Sequence, residues 1–130
     1  DYNETTIDSP DDKLFGKVIQ AIKAHIDDST FGVNELASEV GVSRVHLNRK
    51  MKERYGMSPV NFIRSYRLKQ SAYLLVNNKV SISDVAYLMG FSSHPYFSNV
   101  FRAYFGMSPK ESVAYYADNG NDEVLQKMLE

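Results

Sequence analysis

The feature that most constrains the fold of this chain is an internal duplication. Residues 33–43 align with residues 82–92 at an offset of 49, and residues 47–59 align with residues 97–109 at an offset of 50. Both copies close with the same four residues, Gly-Met-Ser-Pro. A repeat at a nearly fixed period indicates that one supersecondary unit occurs twice. Any fold proposed for the chain must therefore hold two copies of that unit.

Each copy carries the signals of two helices joined by a tight turn. A short helical segment has an alanine at its middle, Ala37 or Ala86, and a glycine follows it, Gly41 or Gly90. A serine then precedes a second helical segment, and serine is a favoured N-cap residue. Two helices crossing at about 90–120° need a small residue at their contact, and glycine suits the turn. The repeat therefore predicts two helix-turn-helix units.

A longer helix is expected between the two copies. Ser58-Pro59 places a serine cap before a proline at the first helical position, and the helix should reach about Val76. Apolar residues at helical spacing precede the first copy, and no β alternation of useful length occurs. We predict an all-α fold in which two helix-turn-helix subdomains are joined by a long linker helix. The predicted segments are a linker at 1–12, a first subdomain at 13–58, a linker helix at 59–77, a second subdomain at 78–117 and an acidic C-terminal tail at 118–130.

The net charge of −1 hides an uneven distribution of charged residues. Residues 13–117 hold 14 basic and 7 acidic residues, whereas residues 1–12 hold five acidic residues and no basic one. Within residues 44–69 there are eight basic residues and one acidic residue. Such a basic block favours a polyanionic partner such as nucleic acid. A solvated helical face that binds nothing is the alternative on charge alone.

Several classes of site lack their residues in this sequence. The chain has no cysteine, which excludes disulfides and thiolate metal sites, and its three histidines form no metal-ligand pattern. No glycine-rich phosphate loop, nucleophile arrangement or apolar run of about 18 residues is present. We therefore expect no catalytic residue, no metal, no cofactor and no enzymatic activity.

The spaced residues of both copies resemble one known family. The pattern that carries the resemblance in the first half is Ser43-x-x-x-Leu47-x-Arg49-x-Met51-Lys52-x-x-x-Gly56-x-Ser58-Pro59, and in the second half Ile82-x-Asp84-Val85-Ala86-x-x-x-Gly90-Phe91 with Tyr96-Phe97, Phe101-Arg102, Phe105-Gly106 and Ser108-Pro109. These residues resemble AraC/XylS-type transcription regulators over about residues 13–117. The resemblance implies sequence-specific binding of double-stranded DNA and regulation of transcription. It also implies two reading helices that lie in successive major grooves.

Base-contacting residues of the first unit follow from the resemblance and from side-chain chemistry. The family pattern implies that Val45, Asn48 and Arg49 meet base edges. Arg49 can bind guanine with two hydrogen bonds, Asn48 can do the same with adenine, and Val45 can pack on a thymine methyl group. Arg44 is a further candidate, for a base or a phosphate.

The second unit departs from the family pattern. Its base-contacting candidates are His94, Pro95 and Asn99, and a basic residue is common in the family at the position of Asn99. We therefore expect the second unit to contribute less base-specific affinity than the first. The residues expected to contact phosphates in the two units are Ser43, Lys50, Lys52, Arg54, Arg67, Ser93, Ser98 and Arg102.

The sequence leaves alternatives open for the other domains, the location and the partners of the protein. The sequence is similar to the C-terminal outputs of bacterial hybrid two-component sensors, which implies a sensor or receiver domain upstream in the same chain. A small-ligand-binding N-terminal domain is the alternative. We expect a cytoplasmic location, with membrane anchoring of a longer chain left open, dimerisation through other domains, and RNA polymerase as a further candidate partner. The acidic tail could compete with DNA for the basic face. A helical protein-interaction module is the rival function.

Overall fold

The computed structural model describes residues 9–78 and 80–119, and within them the chain forms seven α-helices and no strand. The helices are α1 (Pro10–Ala24), α2 (Val33–Val40), α3 (Arg44–Tyr55), α4 (Pro59–Asn78), α5 (Ile82–Leu88), α6 (His94–Phe105) and α7 (Pro109–Asn119). The predicted all-α class with two helix-turn-helix units and a long connecting helix is confirmed.

The first unit is built around an aliphatic core. Helices α1, α2 and α3 pack together on the first half of α4. Val18, Ile22, Leu36, Leu47 and Met51 are fully buried there. Burial of one such side chain stabilises the fold by about 1.5–3 kcal/mol, so this cluster fixes how α3 is held.

The second unit is built around an aromatic core. Phe91, Phe97 and Phe101 are buried between α5, α6 and α4, with ring centroids 4.9 Å apart for Phe91 and Phe97 and 5.6 Å apart for Phe97 and Phe101. Helix α7 packs against α4 and α6. The second unit thus fills equivalent positions with larger side chains than the first.

Helix α4 belongs to both cores. Ile63 lies in the first core, whereas Leu68, Ala72 and Leu75 lie in the second. The helix has 20 residues, which corresponds to roughly 30 Å. One continuous helix therefore connects the two cores.

The turns of the two units have the same local geometry. Gly41 and Gly90 have φ angles of 79° and 80°, in the left-handed region that glycine adopts without a steric penalty. The amide of the next residue donates a hydrogen bond to the carbonyl of the mid-helix alanine, from Val42 to Ala37 at 3.1 Å and from Phe91 to Ala86 at 2.9 Å. Both alanines are buried where the helices meet. The alanine and glycine positions of the repeat therefore act as the sequence pattern predicts.

The start of α1 corrects the predicted linker. Helix α1 begins at Pro10, so residues 10–12 are helical and the linker predicted at 1–12 is wrong there. The physical reason is a complete helix start: the Ser9 hydroxyl accepts a hydrogen bond from the Asp12 amide at 3.1 Å, and Pro10 occupies the first turn. Residues 1–8 and most of the predicted tail lie outside the described residues, although α7 extends to Asn119.

Membrane-spanning helices and metal-binding clusters are both absent from residues 9–78 and 80–119. No helix in these ranges has the length and apolar character needed to cross a bilayer. The same ranges hold no group of three or more histidine, aspartate or glutamate side chains placed to bind a metal ion.

Candidate nucleic-acid interface

Helix α3 is anchored on one side and exposed on the other. The Ser43 hydroxyl accepts a hydrogen bond from the His46 amide at 3.0 Å, which starts the helix. Leu47 and Met51, one turn apart, are fully buried and attach the helix to the first core. The opposite side of the helix is therefore held towards solvent in one orientation.

The candidate base-contacting residues of the first unit all lie on that exposed side. Arg44, Val45, Asn48 and Arg49 are exposed. Val45 is 80% exposed, which leaves its methyl groups free for a ligand. The structure thus brings the four residues together on the first turns of α3.

A shallow groove continues this surface beyond α3. It has a volume of about 440 Å³. The groove is lined by Val33, Arg44, Val45, Asn48, Ser58, Pro59 and Val60. Val60 is half exposed and was missed in the sequence, because its position after Ser58-Pro59 indicates only the start of a helix. The one signal in the sequence that could have identified Val60 is an apolar residue on the first turn of the predicted helix.

Arg44 and Arg49 have exposed polar partners within the protein. Arg49 contacts the Glu53 carboxylate at 3.5 Å and the His46 ring at 3.1 Å. Arg44 donates a hydrogen bond to the side-chain oxygen of Asn34 on α2 at 3.1 Å. Exposed pairs of this kind contribute about 0.3–0.5 kcal/mol, so a stronger ligand can replace them.

Two of the predicted phosphate contacts in α3 instead bind α1. Lys50 forms an ion pair with Asp11 at 3.1 Å, and its side chain is only 20% exposed. Arg54 pairs with Asp12 at 3.1 Å and lies over the Phe15 ring at 4.6 Å. The predicted phosphate contacts of Lys50 and Arg54 would therefore require these ion pairs with carboxylates of the same chain to open.

The carboxylates on α1 were missed because residues 1–12 were assigned to a linker. The hydrogen bond from Arg54 holds the pKa of Asp12 below its ordinary value, with smaller contributions from the Ser9 cap. A serine followed by proline and two acidic residues is a helix start, and this signal in the sequence could have found them.

Arg67 is the clearest correction among the predicted phosphate contacts. Its side chain lies inside the protein, and the residue is only 8% exposed. The guanidinium donates to the backbone carbonyls of His25, Ile26 and Asp28. An arginine that is buried and bound to three backbone carbonyls is poorly placed to meet a phosphate, so we assign it a structural role.

Helix α6 repeats the anchoring of α3 with a different exposed face. The Ser93 hydroxyl accepts from the Tyr96 amide at 3.1 Å, and Phe97 and Phe101 are fully buried. The candidate residues His94, Pro95 and Asn99 are all exposed, together with the predicted phosphate contact Arg102, whereas Ser98 is half-buried. Tyr96 is 43% exposed and adds an aromatic ring to this face.

The two reading faces therefore differ in charge. Lys52 on α3 and Arg102 on α6 are exposed basic residues that lie one or two turns beyond the candidate base-contacting residues. Helix α3 has five basic residues and α6 has one. This arrangement can place cations beside a polyanion on both units, more strongly on the first.

Comparison with known proteins places the chain in a family. A helix-turn-helix domain family model matches residues 36–114. Histidine kinase P4 of Formosa agariphila is 35% identical over 116 residues, which cover 89% of this chain and 8% of that protein. The chain spans 8 to 30% of the length of the curated relatives compared with it.

Solved structures agree with that match. A transcriptional regulator with an AraC-type DNA-binding domain from Chromobacterium violaceum superposes with a TM-score of 0.72 and 30% identity, covering 78% of this chain and 90% of that one. The DNA-binding domain of AdpA, solved in complex with a target DNA, has a TM-score of 0.75 and 28% identity, covering 82% and 94%. The chain belongs to the AraC-type helix-turn-helix family of DNA-binding transcription regulators.

Proposed function

We propose that this chain binds double-stranded DNA at specific sequences and regulates transcription by inserting the first turns of α3 and α6 into successive major grooves. One observation carries the proposal: two equivalent serine-capped helices are each attached by two buried side chains and are joined through one continuous helix, α4. The roughly 30 Å length of α4 is close to the roughly 34 Å between successive major-groove faces of a duplex.

The base-contacting roles are divided between the two helices. On α3, Arg49 binds guanine, Asn48 binds adenine and Val45 packs on a thymine methyl group, with Arg44 beside them. A bidentate contact to a base gives about 1–3 kcal/mol of discrimination, which exceeds the few tenths that an exposed ion pair contributes. Arg49 can therefore leave Glu53 when DNA binds.

On α6 the base-contacting residues are His94, Pro95 and Asn99. The ring of His94 and the amide of Asn99 can hydrogen-bond to base edges, whereas Pro95 offers only apolar contact. No arginine or lysine lies on the first two turns of this helix. The second unit accordingly contributes less base discrimination.

The phosphate contacts come from exposed and half-buried residues that flank these faces. Ser43 and Ser93 stand at helix N-termini, where backbone amides and the helix dipole favour an anion. The proposed phosphate-contacting residues are Ser43, Lys52, Ser93, Ser98 and Arg102. Contacts of this kind fix the register of the protein on the duplex without reading sequence.

The test is a binding titration on a duplex selected from a random pool, with a scrambled duplex as reference. Wild-type protein should prefer the selected duplex, and its affinity should fall steeply with salt because phosphate contacts release counterions. Arg49→Ala should remove part of the preference. Lys17→Ala on α1 removes the same charge outside the proposed interface and should keep it.

The same titration also tests the rival function, a helical protein-interaction module. A protein-interaction module would show no preference among duplexes, and binding to its protein partner would depend weakly on salt and survive Arg49→Ala. That pattern would contradict the proposal.

The likeness to a histidine kinase supports a proposal about regulation. We propose that a sensing histidine kinase or receiver in the same polypeptide controls DNA binding by this domain, with dimerisation supplied by those parts and RNA polymerase as a downstream partner. Measuring DNA affinity of the full-length protein with and without phosphorylation tests this. Equal affinity in both states would contradict it.

A further inference from the structure

The two helix-turn-helix units meet at a junction centred on Arg67 of α4. The Arg67 Nη2 atom donates to the carbonyl oxygens of Asp28 at 2.7 Å and His25 at 3.4 Å, and Nε donates to that of Ile26 at 3.3 Å. These carbonyls follow the C-terminus of α1, where the helix dipole attracts a cation. One side of the guanidinium is thus fixed to the first unit.

The turn of the second unit packs against the same group. A Cβ atom at Gly90 would overlap the Ile26 carbonyl oxygen and would lie 2.8 Å from the Arg67 Nε atom. Gly90 itself is buried. The backbone of this turn therefore rests directly on the guanidinium and on the carbonyl that it binds. We call Arg67, His25, Ile26, Asp28 and Gly90 the Arg67 junction.

The equivalent turn of the first unit has no such contact. Gly41 has the same left-handed conformation, yet a Cβ atom there would meet nothing within 4 Å. The two glycines thus share one backbone requirement, and only Gly90 also requires a close approach. The absence of a side chain at residue 90 serves the contact between units as well as the turn.

The cost of burying Arg67 shows that the contact is specific. Burial lowers the pKa of the guanidinium, and Asp28, Asp27 and Tyr96 oppose that effect. Burying a cation is costly unless hydrogen bonds compensate, and here three backbone carbonyls accept from Nε and Nη2 of Arg67.

We propose that Arg67 is a positioning residue that locks the two helix-turn-helix units together and so fixes the separation and orientation of α3 and α6. This inference rests on the proposed function. Two linked reading helices gain affinity from each other only when their geometry matches the spacing of the two half-sites. Loss of the Arg67 junction should therefore weaken binding to a full site while leaving each helix able to read its half-site.

A distance measurement without DNA tests the junction directly. Because the chain has no cysteine, Ser38→Cys and Tyr87→Cys place two spin labels at equivalent exposed positions of α2 and α5. Arg67→Met should broaden or shift the distance distribution. Arg67→Lys should do so less, since an ammonium keeps the charge but lacks the planar array of donors. Arg64→Met on the same helix is the control and should leave the distribution unchanged.

The two turn glycines give a matched second pair of variants. Gly90→Ala and Gly41→Ala impose the same backbone strain, but only Gly90→Ala also forces the junction apart. We expect a changed distance distribution for Gly90→Ala and an unchanged one for Gly41→Ala. Circular dichroism shows whether Arg67→Met folds. If it does not fold, the two glycine variants test the junction in its place.

DNA binding separates a positioning role from general stabilisation. At a temperature where both proteins are folded, Arg67→Met should bind the selected full site about tenfold more weakly and a site with one scrambled half almost as well as wild type. It should also tolerate inserted base pairs between the half-sites better. If wild-type protein binds no DNA, the proposed function fails while the distances still test the junction. Unchanged distances in both Arg67→Met and Gly90→Ala would overturn the inference.

Discussion

The two helix-turn-helix units share their buried positions and differ in their exposed ones. Leu47 and Met51 in α3 correspond to Phe97 and Phe101 in α6, and all four are fully buried. Helix α3 carries five basic residues and one acidic residue, with two of the basic residues paired to α1, whereas α6 carries one basic residue. The fold thus constrains the anchoring positions of each unit and leaves the reading face free to diverge. We infer that affinity is divided unequally between the two units.

The largest expected effects compare the two cores. Phe97→Ala should lower the free energy of unfolding by about 3–5 kcal/mol, and Leu47→Ala by about 2–5 kcal/mol. Phe97 should cost more than its counterpart because its ring contacts both Phe91 and Phe101. Urea denaturation followed by circular dichroism measures both variants. A smaller loss for Phe97→Ala than for Leu47→Ala would contradict the comparison.

The next effect concerns base discrimination by the two reading faces. Arg49→Ala should cost about 1–3 kcal/mol of preference for the selected site, because a guanine loses a bidentate partner. Asn99→Ala should cost less at the same salt concentration. Fluorescence anisotropy on selected and scrambled duplexes gives both values, and the reverse order would refute the division of roles between the units.

A smaller effect separates two lysines on α3. Lys52→Ala should reduce the slope of log affinity against log salt by about 1, as expected for one lost phosphate contact. Lys50→Ala should leave the slope unchanged, since Asp11 already pairs with Lys50. The two variants remove the same charge two residues apart. Equal changes in slope would show that Lys50 reaches the DNA after all.

How much the sequence could predict depends on how far apart the interacting residues are along the chain. The helices, their serine caps and the glycine turns were predictable because each depends on residues within a few positions. The intramolecular partners of Lys50, Arg54 and Arg67 were not predictable. Their partners lie 39 to 42 residues away, and a basic residue carries no local sign of being occupied by a distant carboxylate or carbonyl.

The smallest expected effect is a change in the pKa of one carboxyl group, Asp12, with Glu111 as the comparison. Asp12 in α1 and Glu111 in α7 both have a pKa below the ordinary value, through Arg54 for Asp12 and through the Ser108 amide for Glu111. A lowered carboxyl pKa contributes stability above the ordinary value near 4, and this is lost as the pH falls through the lowered pKa. The acid-sensitive pH range therefore lies below about 4 for both units.

The Arg54→Met variant distinguishes the two carboxyls. It should raise the pKa of Asp12 towards its ordinary value and leave that of Glu111 unchanged, because their hydrogen-bond partners differ. Side-chain NMR titration measures both groups in one sample. An unchanged Asp12 pKa would mean that the ion pair between α1 and α3 does not form in solution.

A selection of bound sequences from a random pool of double-stranded DNA tests most directly whether α3 and α6 read one duplex together. Two reading helices held at one distance should select a two-part motif whose half-sites are centred about one helical turn, 10–10.5 base pairs, apart, with stronger base preferences in the half-site read by α3. The half-site read by α3 is the one whose base preferences weaken when the selection is repeated with Arg49→Ala. No enriched motif at low salt, or two half-sites without a fixed spacing, would contradict two reading helices held at one distance by α4.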